Sequence, residues 1–494
     1  MTRMFPKISS LKTVDAFRAR LAALGLELPV DDAPLSAAAG SPLAAPLEVA
    51  GRAIGNRWCI QPMEGWDGQP DGSPSELTLR RWRHFGTSGA KLIWGGEAAA
   101  VQHDGRANPN QLLATTEHRA GLAALLAELR GAHQASFGRA DDLLVGLQLT
   151  HSGRYARPNG PRLEPRIPQH HPLLDARTGI DPRDDAPLWT DAQLEQLIER
   201  FVAAAGVARD VGFDFVDVKA CHGYLLHEFL SARDRRGAFG GDLTGRSRLL
   251  CEIVRRVRDA YPGLLVGVRL SAFDTVPFES PTQAPPSDPQ LRNDDTNRGQ
   301  PTPHAHLLPY RWAFGAASDD PRHGDLGETF ALVQRLFDLG VRLFNVTAGS
   351  PYYNPHVQRP AWYPPSDGYP PPEDPLVGVC RQIAATRDCK RALPGAVVVG
   401  SGYSYLQDYL PHVAQAVVRA GWVDSVGLGR MVLSYPELPA DVLAGKPLAR
   451  PLICRTFSDC TTGPRKGLVS GCYPLDPYYK RLPEAAVLRD LKRG

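Results

Sequence analysis

The sequence predicts an α/β fold, a (β/α)8 TIM barrel with long loop insertions on its C-terminal face and a short C-terminal extension. Three observations carry this prediction. Eight short runs rich in Val, Ile and Leu lack clean alternation, as parallel strands covered on both faces should. Helical patterns separate them, several opening on Ser, Thr or Asp and closing near Gly. The connections are short on one side of this alternation and long on the other. A doubly wound sheet would show fewer units and a Gly-rich turn after its first strand.

Each element follows from its own residues. The first strand is WCIQPM from Trp58, and SELTLRRWRHFG after Pro74 is its helix. The second is KLIWGGEA from Lys91, followed by EHRAGLAALLAELRGA after Thr116. LLVGLQLTH from Leu143 leads to DAQLEQLIERFVAAAGVARDVG after Thr190, and FDFVDVKA from Phe213 leads to TGRSRLLCEIVRRVRDAY. LLVGVRLSA from Leu264 precedes DLGETFALVQRLFDLG, and VRLFNVTAG from Val341 precedes EDPLVGVCRQIAATRD. AVVVGSG from Ala396 with YLQDYLPHVAQAVVRAG, then SVGLGRM from Ser425 with a shorter helix near PELPADVLAG, complete the count.

The barrel spans residues 51–445, preceded by a helix and lead-in over 1–50 and followed by an extension over 446–494. Two Pro- and charge-rich excursions interrupt it, over about 155–190 and 273–325. Loops that long carry function or lack order, and both leave the face where barrel enzymes build their sites. A net charge of +3 over 494 residues gives no electrostatic case for nucleic acid. No run approaches eighteen apolar residues, so no membrane span is expected. The first residues lack the apolar core of a signal peptide and the eight cysteines are scattered, so a soluble, cytoplasmic protein with reduced thiols is expected. A homo-oligomer is compatible with this reading.

The chemistry-bearing residues map to the same strand ends. Gln148 and His151 end the third strand, Lys219, His222 and Tyr224 follow the fourth, and Arg269 ends the fifth. Gly400, Ser401 and Gly402 end the seventh, and Gly429 and Arg430 end the eighth. The loops after strands seven and eight are the usual phosphate position of a TIM barrel, and Gly-turn amides with a guanidinium suit a phosphate. Lys219 and His222 cannot share one face of a regular strand, whose side-chain period is two. Both reach one pocket only if the chain leaves its pleat between them, which Gly223 permits.

These residues carry a resemblance. NRWCIQPM, QLTHSGR, GFDFVDVKACHGYLLHEFLS with its following GR, GVRLS and SVGLGR resemble, in order, the old yellow enzyme family of FMN-dependent oxidoreductases. Within that family the chain resembles the branch with the barrel domain of 2,4-dienoyl-CoA reductase and trimethylamine dehydrogenase. The resemblance implies non-covalent FMN, with Pro62, Met63 and Gly96 passing against it and Gln148 reading its pyrimidine edge. It places Arg269 beside the ring where negative charge builds on reduction, and Ser401, Gly402, Gly429 and Arg430 on the phosphate. Tyr224 takes the proton donor's position; His222 and Lys219 take the pair that polarises a substrate oxygen, Lys219 standing where the family commonly has His. The implied reaction takes hydride from NADH or NADPH and passes it to an activated alkene such as an enone or enoate. The alternative is a dehydrogenase or demethylase working oxidatively with a partner electron acceptor. Tyr352 and Tyr353, in the aromatic loop after the sixth strand, are expected to contact substrate.

The extension carries Cys454, Cys460 and Cys472, and its final spacing resembles that branch's iron–sulfur segment. The two earlier ligand places fall on Ile453 and Thr456, three thiolates are fewer than a cubane cluster takes, and no His follows Cys454. No metal is therefore expected, and Cys460 and Cys472 are read as packing residues. A metal-dependent hydrolase built on His151, His170, His171 and His222 is a further alternative.

Overall fold

The computed structural model describes residues 5–281, 297–365 and 368–492. Its centre is a closed barrel of eight parallel strands: β1 (Trp58–Ile60), β2 (Leu92–Ile93), β3 (Leu144–Thr150), β4 (Phe215–Ala220), β5 (Leu265–Ser271), β6 (Leu343–Thr347), β7 (Val397–Gly400) and β8 (Ser425–Leu428). Each strand pairs with its successor, from Cys59↔Leu92 and Leu92↔Leu144 through Lys219↔Arg269 and Asn345↔Arg269. Val426↔Trp58 closes the ring. The eight helices follow as α1 (Glu76–Thr87), α2 (Arg119–Phe137), α3 (Asp191–Val211), α4 (Leu243–Ala260), α5 (Gly327–Asp338), α6 (Pro375–Ala392), α7 (Leu410–Arg419) and α8 (Leu438–Leu443). Their ends follow the expected chemistry. Thr190 and Gln193 form a capping box at the start of α3, and Gly212 closes it in the left-handed region at φ 100°.

Period-two alternation explains both the core and the site. One set of strand residues, including Trp58, Ile93, Val145, Val216 and Val268, packs outward under the helices. The alternate set forms the barrel interior, where Cys59, Leu92, Leu144, Phe215, Leu343 and Val397 make an apolar cluster. The hairpin of Leu47–Val49 and Arg52–Ile54 adds Val49 and Ile54 to that cluster and caps the barrel's lower end. Gly146 is required in this layer, because a Cβ there would stand 2.3 Å from the Phe215 ring. Two and four residues further along the same period, the interior turns polar: Gln61, Gln148, Asp217, Lys219, Arg269 and Asn345 are all buried. The polarity gradient along each strand therefore puts dry packing at one end and chemistry at the other.

Three expectations are refined. The second strand stops at Ile93; Gly95 and Gly96, at φ 128° and 45°, break it before Ala98–Ala100 resumes pairing with β3. Of the 273–325 excursion, residues 282–296 lie outside the described residues; Phe278–Glu279 pairs antiparallel with Gln300–Pro301 across them. The extension packs onto α1, with Arg80 paired to Asp476 at 2.9 Å and lying 4.5 Å from the Tyr478 ring centroid. Among the described residues no helix is long and apolar enough to cross a membrane.

Candidate active site

A cavity of about 310 Å³ opens at the C-terminal ends of the strands, within the size range of small-molecule sites. Its walls come from β3–β6 and β8, the segments after β1, β4, β6 and β7, helix α1 and, unexpectedly, the extension.

The segment after β4 does leave its pleat. Ala220 is the last strand residue, His222 adopts φ 67° and Gly223 φ 75°. For a non-glycine residue that left-handed conformation is uncommon, and fixed hydrogen bonds hold it. The His222 amide donates to Ser271 Oγ at 3.1 Å, and its carbonyl accepts from Ser350 Oγ at 2.9 Å. Lys219 and His222 consequently face the same cavity. His222 Nε2 lies 3.3 Å from Thr347 Oγ1 and 3.2 Å from Gln358 Nε2. Burial, then the Arg269 and Lys219 charges, hold its pKa well below the ordinary histidine value, so it works as a neutral imidazole.

Lys219 Nζ sits 3.6 Å from the Tyr224 ring centroid, a close cation–π contact. Burial lowers the pKa of its ammonium, and Glu64 opposes that shift. The Tyr224 hydroxyl donates to Glu64 Oε2 and lies 2.9 Å from the Tyr352 hydroxyl. Burial first, then Glu64, raise the Tyr224 pKa well above the ordinary phenol.

Two residues before Lys219 on β4, Asp217 organises two neighbours. It accepts from Gln148 Nε2 at 2.5 Å and from the Arg269 amide at 2.6 Å. Burial pushes its pKa up to about 6. Since the Gln148 amino group is taken by Asp217, its carbonyl oxygen is left to accept from a ligand. Arg269 Nη1 donates to Pro62 O at 3.3 Å, while its buried Nε has no partner. Across the floor, Gln61 Nε2 reaches Gly400 O and Ser401 Oγ, both at 3.2 Å. Gly402 takes φ 95° beside it. Arg430 donates through Nη2 to Pro360 O at 3.0 Å, and its buried Nη1 is unpartnered. Two guanidinium nitrogens buried without partners, one on each side of the cavity, are what an anionic ligand with a polar ring would satisfy. The residues present fit FMN, whose phosphate and polar ring would draw on the donors of Arg430, Ser401, Gln148 and Arg269 if it bound here.

Twelve of the fourteen anticipated residues line this cavity. Gly96 does not; a Cβ there would stand 3.0 Å from Trp82, so it is a packing glycine beneath the wall. Tyr353 does not either. Its hydroxyl donates to Asp274 at 2.5 Å in a separate small cavity, which makes it an anchor for its loop while Tyr352 takes the site. Cys460 and Cys472, expected as packing residues, line the cavity; burial pushes the Cys472 thiol up. His151 and His171 lie outside this cavity with His170, so the four histidines of the hydrolase alternative do not converge.

Sequence reasoning missed Glu64 and Arg81. Glu64 follows Pro62 and Met63 directly, and its position after β1 was its only signal. Arg81, on α1, pairs with Asp67 at 2.8 Å and with Glu97, and donates to Met63 O at 3.2 Å, fixing the loop after β1. Arg81→Leu would strand two buried carboxylates, so it is expected to cost about 3–5 kcal/mol of stability in equilibrium urea unfolding.

Against known proteins, residues 42–282 match the NADH:flavin oxidoreductase / NADH oxidase family. That is the old yellow enzyme group which the motifs resemble. The NADPH dehydrogenase of Halalkalibacterium halodurans is 31% identical over 232 residues, covering 46% of this chain and 62% of that protein. That of Geobacillus sp. is 32% identical over 245 residues, covering 48% and 64%. The chain thus spans less than two thirds of the length of these relatives. Among solved structures, 2-naphthoyl-CoA reductase aligns over 91% of this chain and 58% of its own, with a TM-score of 0.64 and 18% identity. Morphinone reductase aligns over 83% and 91%, with a TM-score of 0.54 and 20% identity. These likenesses speak for the fold.

Proposed function

We propose that the protein is an FMN-dependent oxidoreductase that takes hydride from NAD(P)H and delivers it to an activated alkene such as an enone or enoate. The observation that carries this reading is the convergence of two arginines, each with one buried, unpartnered guanidinium nitrogen, with Lys219, His222 and Tyr224 on one cavity. When bound, FMN supplies the hydride relay between nicotinamide and substrate.

The chain's own residues do the rest. His222, neutral and held by its backbone bonds, presents a fixed imidazole to a substrate oxygen. Lys219 adds positive charge that strengthens as negative charge develops on that oxygen. Tyr224, with its pKa raised, keeps its proton until a strongly basic carbon needs it. Tyr352 stacks on Tyr155 with centroids 3.9 Å apart and closes the pocket over Tyr224. Cys460, Cys472 and Tyr479 of the extension wall off the mouth, and Ser470 Oγ accepts from the Trp66 amide at 2.7 Å to seal that contact. The curated relatives are called NADPH dehydrogenases, which makes NADPH the donor to try first.

The test is direct. Heat or acid denaturation is expected to release free FMN near one per chain, and anaerobic NADPH is expected to bleach the bound chromophore before an enone restores it. Recovery of FAD, or of a folded and reconstituted protein that retains no flavin, overturns the proposal.

A further inference from the structure

We propose that Glu64 is the proton relay that connects Tyr224 to solvent, a role that rests on the oxidoreductase reading above. Tyr224 is 3% exposed and lines the cavity, so while substrate fills that cavity a proton lost from its hydroxyl returns through a neighbour. Its hydroxyl has two such partners, Glu64 Oε2 and the Tyr352 hydroxyl. Of these, Tyr352 holds its own proton tightly, its pKa raised to about 12 by burial, which leaves Glu64 as the partner able to pass one on. Glu64 is partly exposed and lines the cavity, and Asn108 Nδ2 donates to its other oxygen at 3.3 Å, which fixes the carboxyl plane. It bonds to Tyr224 at one end and meets solvent at the other.

The proton balance is explicit. In the reductive direction the hydride adds to one carbon and the Tyr224 O–H bond breaks, giving its proton to the neighbouring carbon. The phenolic oxygen takes the Glu64 proton in the same event, and the carboxylate left behind is reprotonated by water. A phenolate is never stranded beside a carboxylate in a buried site, which would be costly. In the oxidative direction every transfer reverses, and the hydrogen bond from Tyr224 to Glu64 is already oriented for it. The charged and titratable groups around Glu64 are Lys219 and Tyr224 at the end of β4 and Tyr352 from the loop after β6, with Arg157 and Arg465 beyond Tyr352. Alkene reduction thus draws a proton out of Glu64, and oxidation returns one to it.

Glu64→Gln keeps the hydrogen bond from Tyr224 but cannot pass a proton. Reoxidation of the reduced protein by an enone is expected to slow roughly tenfold or more and to change its pH profile. Glu64→Asp is expected to restore the wild-type rate and profile in part. An independent readout uses resting protein with no turnover: the 13Cζ resonance of Tyr224, assigned by its loss in Tyr224→Phe, should shift with pH in step with Glu64 and stay flat in Glu64→Gln. An unchanged pH profile in Glu64→Gln, or a Tyr224 resonance that titrates identically in both proteins, overturns the relay. Reduction of the wild type by NADPH, measured first, checks the functional reading separately. If it fails, the function is wrong while the resonance still decides the coupling.

Discussion

Tyr224→Phe is expected to leave reduction by NADPH near the wild-type rate and to slow reoxidation by an enone about a hundredfold or more, the range typical of lost acid catalysis. Taking hydride from a nicotinamide requires alignment and no proton from this residue, whereas saturating an alkene requires both. The substitution removes one oxygen from a ring that Lys219 already packs against at 3.6 Å, so the pocket keeps its shape. It also frees Glu64 and Tyr352 from a shared hydrogen bond, and both reach the open cavity where water can replace it. Stopped-flow traces of the two half-reactions separate these effects. Reoxidation at the wild-type rate would mean that another group, or solvent, supplies the proton. The companion variant Lys219→Met is expected to weaken phenolate and carboxylate ligands, because it removes a buried ammonium that an anion would pair with.

Much of this arrangement was legible because barrel strands write two messages at once. FDFVDVKA reads as a buried run, yet its inward positions Phe215, Asp217 and Lys219 pass from apolar to charged along one period-two face. That gradient fixes which strand end carries chemistry, and Gln148 and Arg269 follow the same rule on β3 and β5. Residues set by loop geometry were harder to read. Nothing in SPYYNP distinguishes Tyr352, which lines the cavity, from Tyr353, which turns to Asp274; the buried carboxylate that decides between them lies about 80 positions away. Gly96 reads as a strand end but is needed for its positive φ against Trp82. Cys460 and Cys472 carry no local sign that the extension folds back over the barrel mouth, since that contact runs through Ser470 to Trp66 and through Arg80 to Asp476. Long-range pairings of this kind belong to tertiary structure and leave no periodicity behind.

Arg430 and Arg269 both have a buried guanidinium nitrogen without a partner, yet replacing them is expected to act on different quantities. Arg430 stands beside the turns after β7 and β8, where the ligand chemistry is that of a phosphate. Hydrogen bonds to a charged group are worth about 1.5–3 kcal/mol each, so Arg430→Ala should weaken FMN binding roughly ten- to a hundredfold. The phosphate is the same in both oxidation states of the flavin. Both affinities therefore fall by one factor, and the midpoint potential stays where it was. Arg269 stands on β5 with its backbone amide tied to Asp217 and its Nη1 on Pro62 O, facing the ring end of the cavity. Negative charge gathers on the ring when it is reduced, so a cation there favours the reduced form over the oxidised one. Arg269→Leu should thus weaken reduced FMN more than oxidised FMN, and every tenfold difference between the two lowers a two-electron potential by about 30 mV. Equilibrium reduction against reference dyes, together with a flavin-release titration, measures both quantities on each variant. Arg269→Leu with an unshifted potential, or Arg430→Ala with a shift as large, would mean that the two guanidiniums do not divide the cofactor between phosphate and ring in this way.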